Sequence, residues 1–332
     1  MQIDEIGEFG LIEKLRRKIG KRSHRIKLGP GDDCAIVAAP DHDMLFTTDT
    51  LIEDVHFELP NISPQMLGKK SIVVNLSDIA AMGGSPLYIL ISLGIPISTR
   101  VEFVEKLYAG FESMAKKYNC NIIGGDISKS VNGLIISITV VGEVKKNTLI
   151  RRSGARDKDK IFVTGTLGSS AAGLEILKRS NPVKKNKITE YHLSPKPRLD
   201  EGQILAEKIG VSAMIDLSDG LASDLKRICE ESKCGARIYL DKIPLSYALR
   251  KFNKSINKNI LDYALFGGED YELLFTIKQK KVPQLQKQWK KMKIPITNIG
   301  EILNKKHGII LVSPDGKEKP LSQTGYDHFK NN

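Results

Sequence analysis

The chain has no apolar run near the roughly 18 residues that a membrane helix requires, so a role spanning or sitting in a membrane is not expected. Its opening, MQIDEIGEFGLIEKL, lacks the basic-then-apolar order of a secretory signal, which leaves a cytoplasmic location as the expectation. Cysteine is scarce: Cys34, Cys120, Cys229 and Cys234 are scattered, and only the last two lie close. A single C-x4-C with no second pair makes a poor zinc site, and reduced thiols are the economical reading. The 6 histidines offer no paired ligands for a transition metal. Also missing are the G-x-x-x-x-G-K-[ST] phosphate loop, a G-x-G-x-x-G with a suitable acid, H-E-x-x-H and G-x-S-x-G. These absences exclude the commonest nucleotide loops, zinc hydrolysis and the serine-hydrolase elbow.

What remains is an ordinary globular composition, 41% hydrophobic and 27% charged, in 332 residues, a length that favours two domains. The net charge of +12 collects at Lys14–Arg25, Lys184–Lys187 and Lys278–Lys293. With little aromatic or glycine content between the charges, these runs read as solvated surface rather than a nucleic-acid patch.

Strand and helix patterns alternate along the chain. Residues 43–51 and 87–96 read as strands, and Pro64–Met82 and Arg100–Tyr118 as helices. Short strands follow at Asn121–Ile123 and Leu134–Val144, and the polar stretch Val144–Lys160 marks a boundary between domains at 1–148 and 149–332. In the second half, IFVTGTLGSSAAGLEIL and residues 214–231 each read as strand, turn and helix, and Lys184–Pro197 reads as a loop. YELLFTI (271–277) and GIILVSP (308–314) read as strands with a helix between them. The fold class is α/β, or α+β.

Six acidic segments stand out: GPGDDCA (29–35), TTDT (47–50), NLSDIAAMGG (75–84), GGDIS (124–128), IDLSDG (215–220) and GGEDYE (267–272). Each alone is explained by turns and helix caps. Together, beside apolar neighbours, they would repel one another at the edge of a core unless a cation compensated. Magnesium takes oxygen ligands of this kind, shared with substrate phosphates. Asp216 and Asp219 would share one side of a turn, and Thr47 and Asp49 one face of a strand with Thr48 on the other. GTLGSSAAG (165–173) reads equally as a phosphate-binding turn or as tight strand–helix packing by small residues.

GPGDDCA, TTDTLIEDVHF, NLSDIAAMGGSP, IIGGDIS, RRSGA, FVTGTLGSSAAGL, AMIDLSDGL, LFGGEDYELLF and GYDHF, in that order, resemble the thiamine-monophosphate kinase family from about Gly7 to Phe329. The resemblance implies the two-domain fold shared with aminoimidazole ribonucleotide synthetase, with a homodimer formed through the sheet of the N-terminal domain. It implies ATP and thiamine monophosphate as substrates, thiamine diphosphate as product, and several magnesium ions. Asp33, Thr47, Thr48, Asp49, Asp78, Asp126, Asp216 and Asp219 look like the magnesium shell of that family. Tyr108, Gly125, Asp126, Arg152 and Ser218 resemble its ATP contacts; His56, Glu269 and Tyr326 resemble its contacts to thiamine monophosphate. A phosphate oxygen of the substrate, with a second pKa near ~6, would be the nucleophile, so no catalytic base or covalent residue is expected. The alternatives are a purine-pathway synthetase of the same fold, which TDTLIEDVHF and GYDHF fit less well, and a non-catalytic nucleotide or nucleic-acid binder.

Overall fold

The computed structural model describes residues 3–16, 23–179, 186–253, 259–322 and 325. The first half contains β1 (Ile26–Leu28), β2 (Ala35–Ala38), β3 (His42–Ile52), β4 (Ser85–Pro96), β5 (Asn121–Ser130) and β6 (Ile135–Lys145). They form one sheet in the order β1-β2-β3-β6-β4-β5, antiparallel except for the β4–β5 pair. Its helices are α1 (Ile3–Arg16), α2 (Pro64–Ala81) and α3 (Val101–Lys117).

After residues 146–159, which carry no helix or strand, come β7 (Lys160–Thr164), β8 (Ala213–Asp216), β9 (Cys234–Tyr239), β10 (Leu273–Ile277), β11 (Ile296–Asn304), β12 (Ile309–Val312) and β13 (Glu318–Pro320). The second sheet runs β13-β12-β9-β11-β7-β10-β8. The helices of this half are α4 (Ser169–Arg179), α5 (Lys187–Leu193), α6 (Leu199–Gln203), α7 (Leu221–Ser232), α8 (Tyr247–Asn253), α9 (Ile260–Phe266) and α10 (Val282–Trp289). The mixed α/β fold class is as expected.

Among the elements that the sequence patterns do not mark are α5 and β11. α5 lies inside the Lys184–Pro197 stretch that reads as a loop; there the Asn186 side chain accepts from the N–H groups of Ile188 and Thr189 in a capping box. β11 follows α10 as a further strand, pairing with both β7 and β9.

The middle layer is α2. Ser63 caps its start, accepting from the Met66 N–H, and Pro64 opens its first turn. Leu67, Ile72, Leu76, Ile79, Ala80 and Ala81 are all fully buried, and so are the polar Lys70, Ser71, Asn75 and Ser77. The helix packs on β3 and β6 of the first sheet, on β8 of the second, and on α3 and α6. One core accordingly joins Ile72 and Leu76 to Phe162, Met214, Phe275 and Trp289 of the second half.

The α2–α3 contact depends on glycine. A Cβ at Gly68 would sit 2.2 Å from the Leu107 carbonyl oxygen, and one at Gly110 would sit 2.2 Å from that of Gln65. Gly68→Ala is therefore expected to push the helices apart and cost about 1–3 kcal/mol, the usual penalty of overpacking. A thermal melt checks this; an unchanged midpoint would show that the helices separate freely.

β3 alternates cleanly. Asp43, Leu45, Thr47 and Leu51 are buried toward α2, with half-buried Asp49 in the same series, while Phe46, Thr48 and Thr50 face outward. The outer face of this sheet also exposes Tyr88, Leu90 and Ile123.

Candidate active site

Three segments that are remote in sequence deliver carboxylates to one place. Asp33 lies in the loop before β2, Asp78 near the C-terminal end of α2, and Asp216 at the end of β8. Each offers an oxygen, and the three oxygens lie within 4.8 Å of one another. Around them the side chains are fixed by neutral donors. The Thr47 hydroxyl donates to Asp78, and the Ser77 hydroxyl donates to Asp216 Oδ2 at 2.7 Å across the two halves. Asn75 Oδ1 accepts the Asp49 N–H at 3.1 Å.

One cation answers these acids directly. Arg152 Nη2 donates to Asp33 Oδ1 at 2.7 Å, while the Arg152 backbone N–H donates to both oxygens of Asp32 at 3.2 Å. Asp33 Oδ2 is buried without a hydrogen-bond partner among the described residues. Burial is the largest influence on the group. It pushes Asp216 up to about 7, helped by Asp33, and Asp49 up to about 6, helped by Asp219. Burial and then Asp33 raise Asp32 to about 7, and burial followed by Asp49, Asp216 and Asp33 raises Asp78. Burial opposes the charge of Arg152, but Asp33 and Asp32 hold its guanidinium protonated. Acids so arranged are under-neutralised by the protein itself.

Asp219 stands on the turn after Asp216 and is gripped by Arg227, whose Nη1 also donates to Asp224 Oδ1 at 3.0 Å. Asp224 in turn accepts from the N–H groups of Asp219 and Gly220, so α7 fixes the turn that precedes it. Ser218 is half-buried there, and its carbonyl accepts the Glu269 N–H at 2.7 Å.

Not every expected residue joins this cluster. Thr48 points to the outer face of the first sheet, donating to the Ile138 carbonyl and accepting from Thr139. Asp126 is exposed in the middle of the edge strand β5, level with Ser92, and accepts from Ser128 at 2.8 Å. GGDIS is thus strand rather than strand end. Gly125 beside it is required by packing: a Cβ there would lie 1.7 Å from the Ile91 carbonyl oxygen. Tyr108 is half-buried, packing edge-on against Phe111 with centroids 5.3 Å apart at the margin of the core. His56 accepts the Ile52 N–H through Nδ1 at 3.1 Å, in the turn after β3. Tyr326 lies outside the described residues.

The acids of GGEDYE are committed elsewhere. Glu269 Oε2 is 2.8 Å from Lys70 Nζ and 2.9 Å from His192 Nδ1. Asp270 accepts the N–H groups of Gly168 and Ser170 at 2.6 and 3.3 Å, at the start of α4. Burial still pushes Asp270 up to about 8 against those two donors. Glu272 is held by Arg198 and by the Thr164 hydroxyl. The N–H groups of the GTLGSSAAG turn are therefore bonded to a carboxyl from within the chain, and the packing reading describes it better than a phosphate loop.

Asp32, Asn75, Ser77, Asp224 and Arg227 shape the site without having been singled out for it. Asn75 and Ser77 carried a signal, as polar residues inside the apolar run of α2. Asp32 meets Arg152 from 120 positions away, which no local pattern reveals, whereas Asp224 and Arg227 pair locally, with each other and with the turn at Asp219. Of the basic run, Lys281 donates to the carbonyls of Ile209 and Gly210, an internal task.

A mixed fold of two sheets sharing one helix, with acids converging at the seam, defines an AIR synthase related protein. The N-terminal domain model of that family matches residues 31–144, and the C-terminal domain model matches residues 156–313. The thiamine-monophosphate kinase of Buchnera aphidicola subsp. Acyrthosiphon pisum is 41% identical, covering 97% of this chain and 98% of its own. That of Bacillus subtilis is 37% identical, over 97% and 99%. The solved structure described as AaThiL complexed with AMPPCP and TMP superposes with a TM-score of 0.86 at 36% identity, over 99% of both chains. The chain belongs to the thiamine-monophosphate kinase family.

Proposed function

We propose that this chain transfers a phosphoryl group from ATP to thiamine monophosphate, giving ADP and thiamine diphosphate, with the reacting centre at the seam between residues 1–148 and 149–332. The observation that carries the reading is the convergence of Asp33, Asp78 and Asp216 within 4.8 Å. The all-oxygen donor set and the unpartnered Asp33 Oδ2 fit hard divalent cations of the magnesium type, several of them given the number of acids nearby. Asp33, Thr47, Asp49, Asp78, Asp216 and Asp219 would hold these ions, which when bound supply neutralisation of phosphate charge.

The chain's own groups do the rest. Thr47 and Ser77 lock two carboxylates in place before substrate arrives, so little reorganisation remains at the moment of transfer. Arg152 contributes a permanent positive charge beside the phosphates. The acceptor phosphate is ionised at neutral pH, its second pKa being near ~6, so no general base is required and transfer is direct and in line. His56, with Nδ1 accepting the Ile52 N–H, carries its neutral-state proton on Nε2 and is the imidazole expected to contact thiamine monophosphate. Glu269, the other described residue expected to contact thiamine monophosphate, is held by Lys70 and His192.

Thr48, Gly125 and Asp126 act on the outer face of the first sheet, where a second copy docks. Phe46, Tyr88, Leu90 and Ile123 form the apolar surface that such a homodimer would cover. Ile123→Asp is expected to halve the mass measured by light scattering; a monomeric wild type would remove the dimer instead.

Supplying ATP, magnesium and thiamine monophosphate, and looking for thiamine diphosphate, tests the reaction. Free thiamine and aminoimidazole precursors are the controls. Turnover of a control alone would overthrow the substrate assignment.

A further inference from the structure

Lys70 is 1% exposed, among the largest side chains the fold encloses completely. It lies on α2 two turns before Asp78. Its Nζ is 2.8 Å from Glu269 Oε2 and 3.2 Å from His192 Nε2. An ammonium can only donate, so Nε2 accepts and the ring proton sits on Nδ1, which donates to Glu269 Oε2 at 2.9 Å. The Ser170 hydroxyl, also buried, lies 3.2 Å from that same Nδ1. Residues from α2, α5 and the 267–272 loop thus close a triangle across the two halves, one cation against one anion.

The loop so gripped is strained and tightly laced. Glu269 has φ +63° and Tyr271 φ +50°, left-handed values in residues with side chains. Such conformations persist only where their surroundings impose them. The Glu269 N–H donates to the Ser218 carbonyl at 2.7 Å, the Tyr271 N–H to that of Leu217 at 2.9 Å, and the Leu217 N–H to that of Glu272 at 2.8 Å. A Cβ on Gly268 would collide with the Ser218 carbonyl oxygen at 2.3 Å, so the two loops touch backbone to backbone. Where loop 267–272 goes, Ser218 and Asp219 follow. Stability alone is a poor reason for such a device, since well-packed apolar residues commonly replace buried ion pairs without loss.

We propose that Lys70 and His192 are positioning residues for phosphoryl transfer, gripping Glu269 so that Ser218 and Asp219 are set against Asp49 and Asp78 of the first half. The proposal rests on the seam being the reacting centre. Neither residue touches the reacting groups; both act through loop 267–272.

The test uses the full-length protein with Lys70→Met and with the double variant Lys70→Met/Glu269→Gln, which removes both charges. Thermal stability, steady-state kinetics with each substrate varied, and hydrogen exchange of peptides spanning 215–220 are measured. The single variant leaves a buried carboxylate short of its cation and loses stability. The double variant regains stability, yet its kcat stays about 10²-fold low, the loss that a small misplacement of reacting groups causes, with KM for ATP little changed. Amides at 215–220 exchange faster in it. Recovery of kcat together with stability, or unaltered exchange at 215–220, would overturn the proposal by reducing the triangle to charge balance. If the double variant does not fold, His192→Gln, which keeps the Lys70–Glu269 pair, carries the same readouts. A wild type without thiamine monophosphate turnover would sink the substrate reading, while exchange would still judge the positioning role.

Discussion

Asp49→Asn is expected to lower kcat by about 10³-fold or more, the scale on which single preorganised electrostatic groups act. Asp49 faces the seam from β3, its backbone N–H held by Asn75 Oδ1, and asparagine preserves the shape of the side chain while removing its charge. The substitution should not weaken the fold. Burial and Asp219 both disfavour the Asp49 carboxylate, so the neutral amide relieves repulsion, and the melting midpoint in chelator should stay level or rise. Loss of activity with a sustained midpoint is the signature of a group kept for function at the expense of stability. Near-normal turnover would remove Asp49 from the metal-holding set.

The second large effect is on stability against pH without divalent cations. Asp216 and Asp32 rise from 3.8 to about 7, and Asp49 to about 6, in the folded protein. Between those limits the folded state binds protons that the unfolded chain has released. The stability from these groups is therefore fully present below about pH 4 and is lost as pH climbs through the folded values. Each group gives up about 1.4 kcal/mol per pH unit across that interval. His192, lowered by burial and by Lys70, works the other way over part of the interval, but it is one group against several. Denaturant midpoints in chelator should fall from pH 5 to pH 8, and Asp216→Asn should flatten the slope. Added magnesium should raise the midpoint more at pH 8 than at pH 5, because protons compete for the same oxygens. Midpoints that rise with pH in chelator would contradict the placement of these acids in a shared buried cluster.

Much of the fold is written in local pattern. The outward Phe46, Thr48 and Thr50 and the inward Leu45, Thr47 and Leu51 make β3 legible, and with it the opposition of Thr47 and Asp49 to Thr48. α2 is equally plain from Ser63-Pro64 to its long apolar body. β5 is not, because almost every residue in it is exposed and no inside–outside alternation survives; Asp126 therefore reads as a strand end when it lies mid-strand. α5 is hidden for a similar reason, as a short helix whose start is signalled by Asn186 and Thr189 amid a polar stretch.

The site divides the same way. That IDLSDG and NLSD set acids at the edge of a core can be read from acids placed inside apolar runs. That the acids of GGEDYE are spent on Lys70, on the start of α4 and on Arg198 cannot, since those partners lie 199, 102 and 74 positions away. A carboxylate bound to a lysine and one waiting for a metal look alike in a sequence. Only the fold assigns them.

The placement of α2 also governs how the protein can move. Ile72 and Leu76 share one core with Phe162, Phe275 and Trp289, so prising the two sheets apart would flood that core with water. A hinge needs an interface that can part cheaply, and here the interface is the core itself. A hinge opening between the halves would therefore expose apolar core residues from both of them.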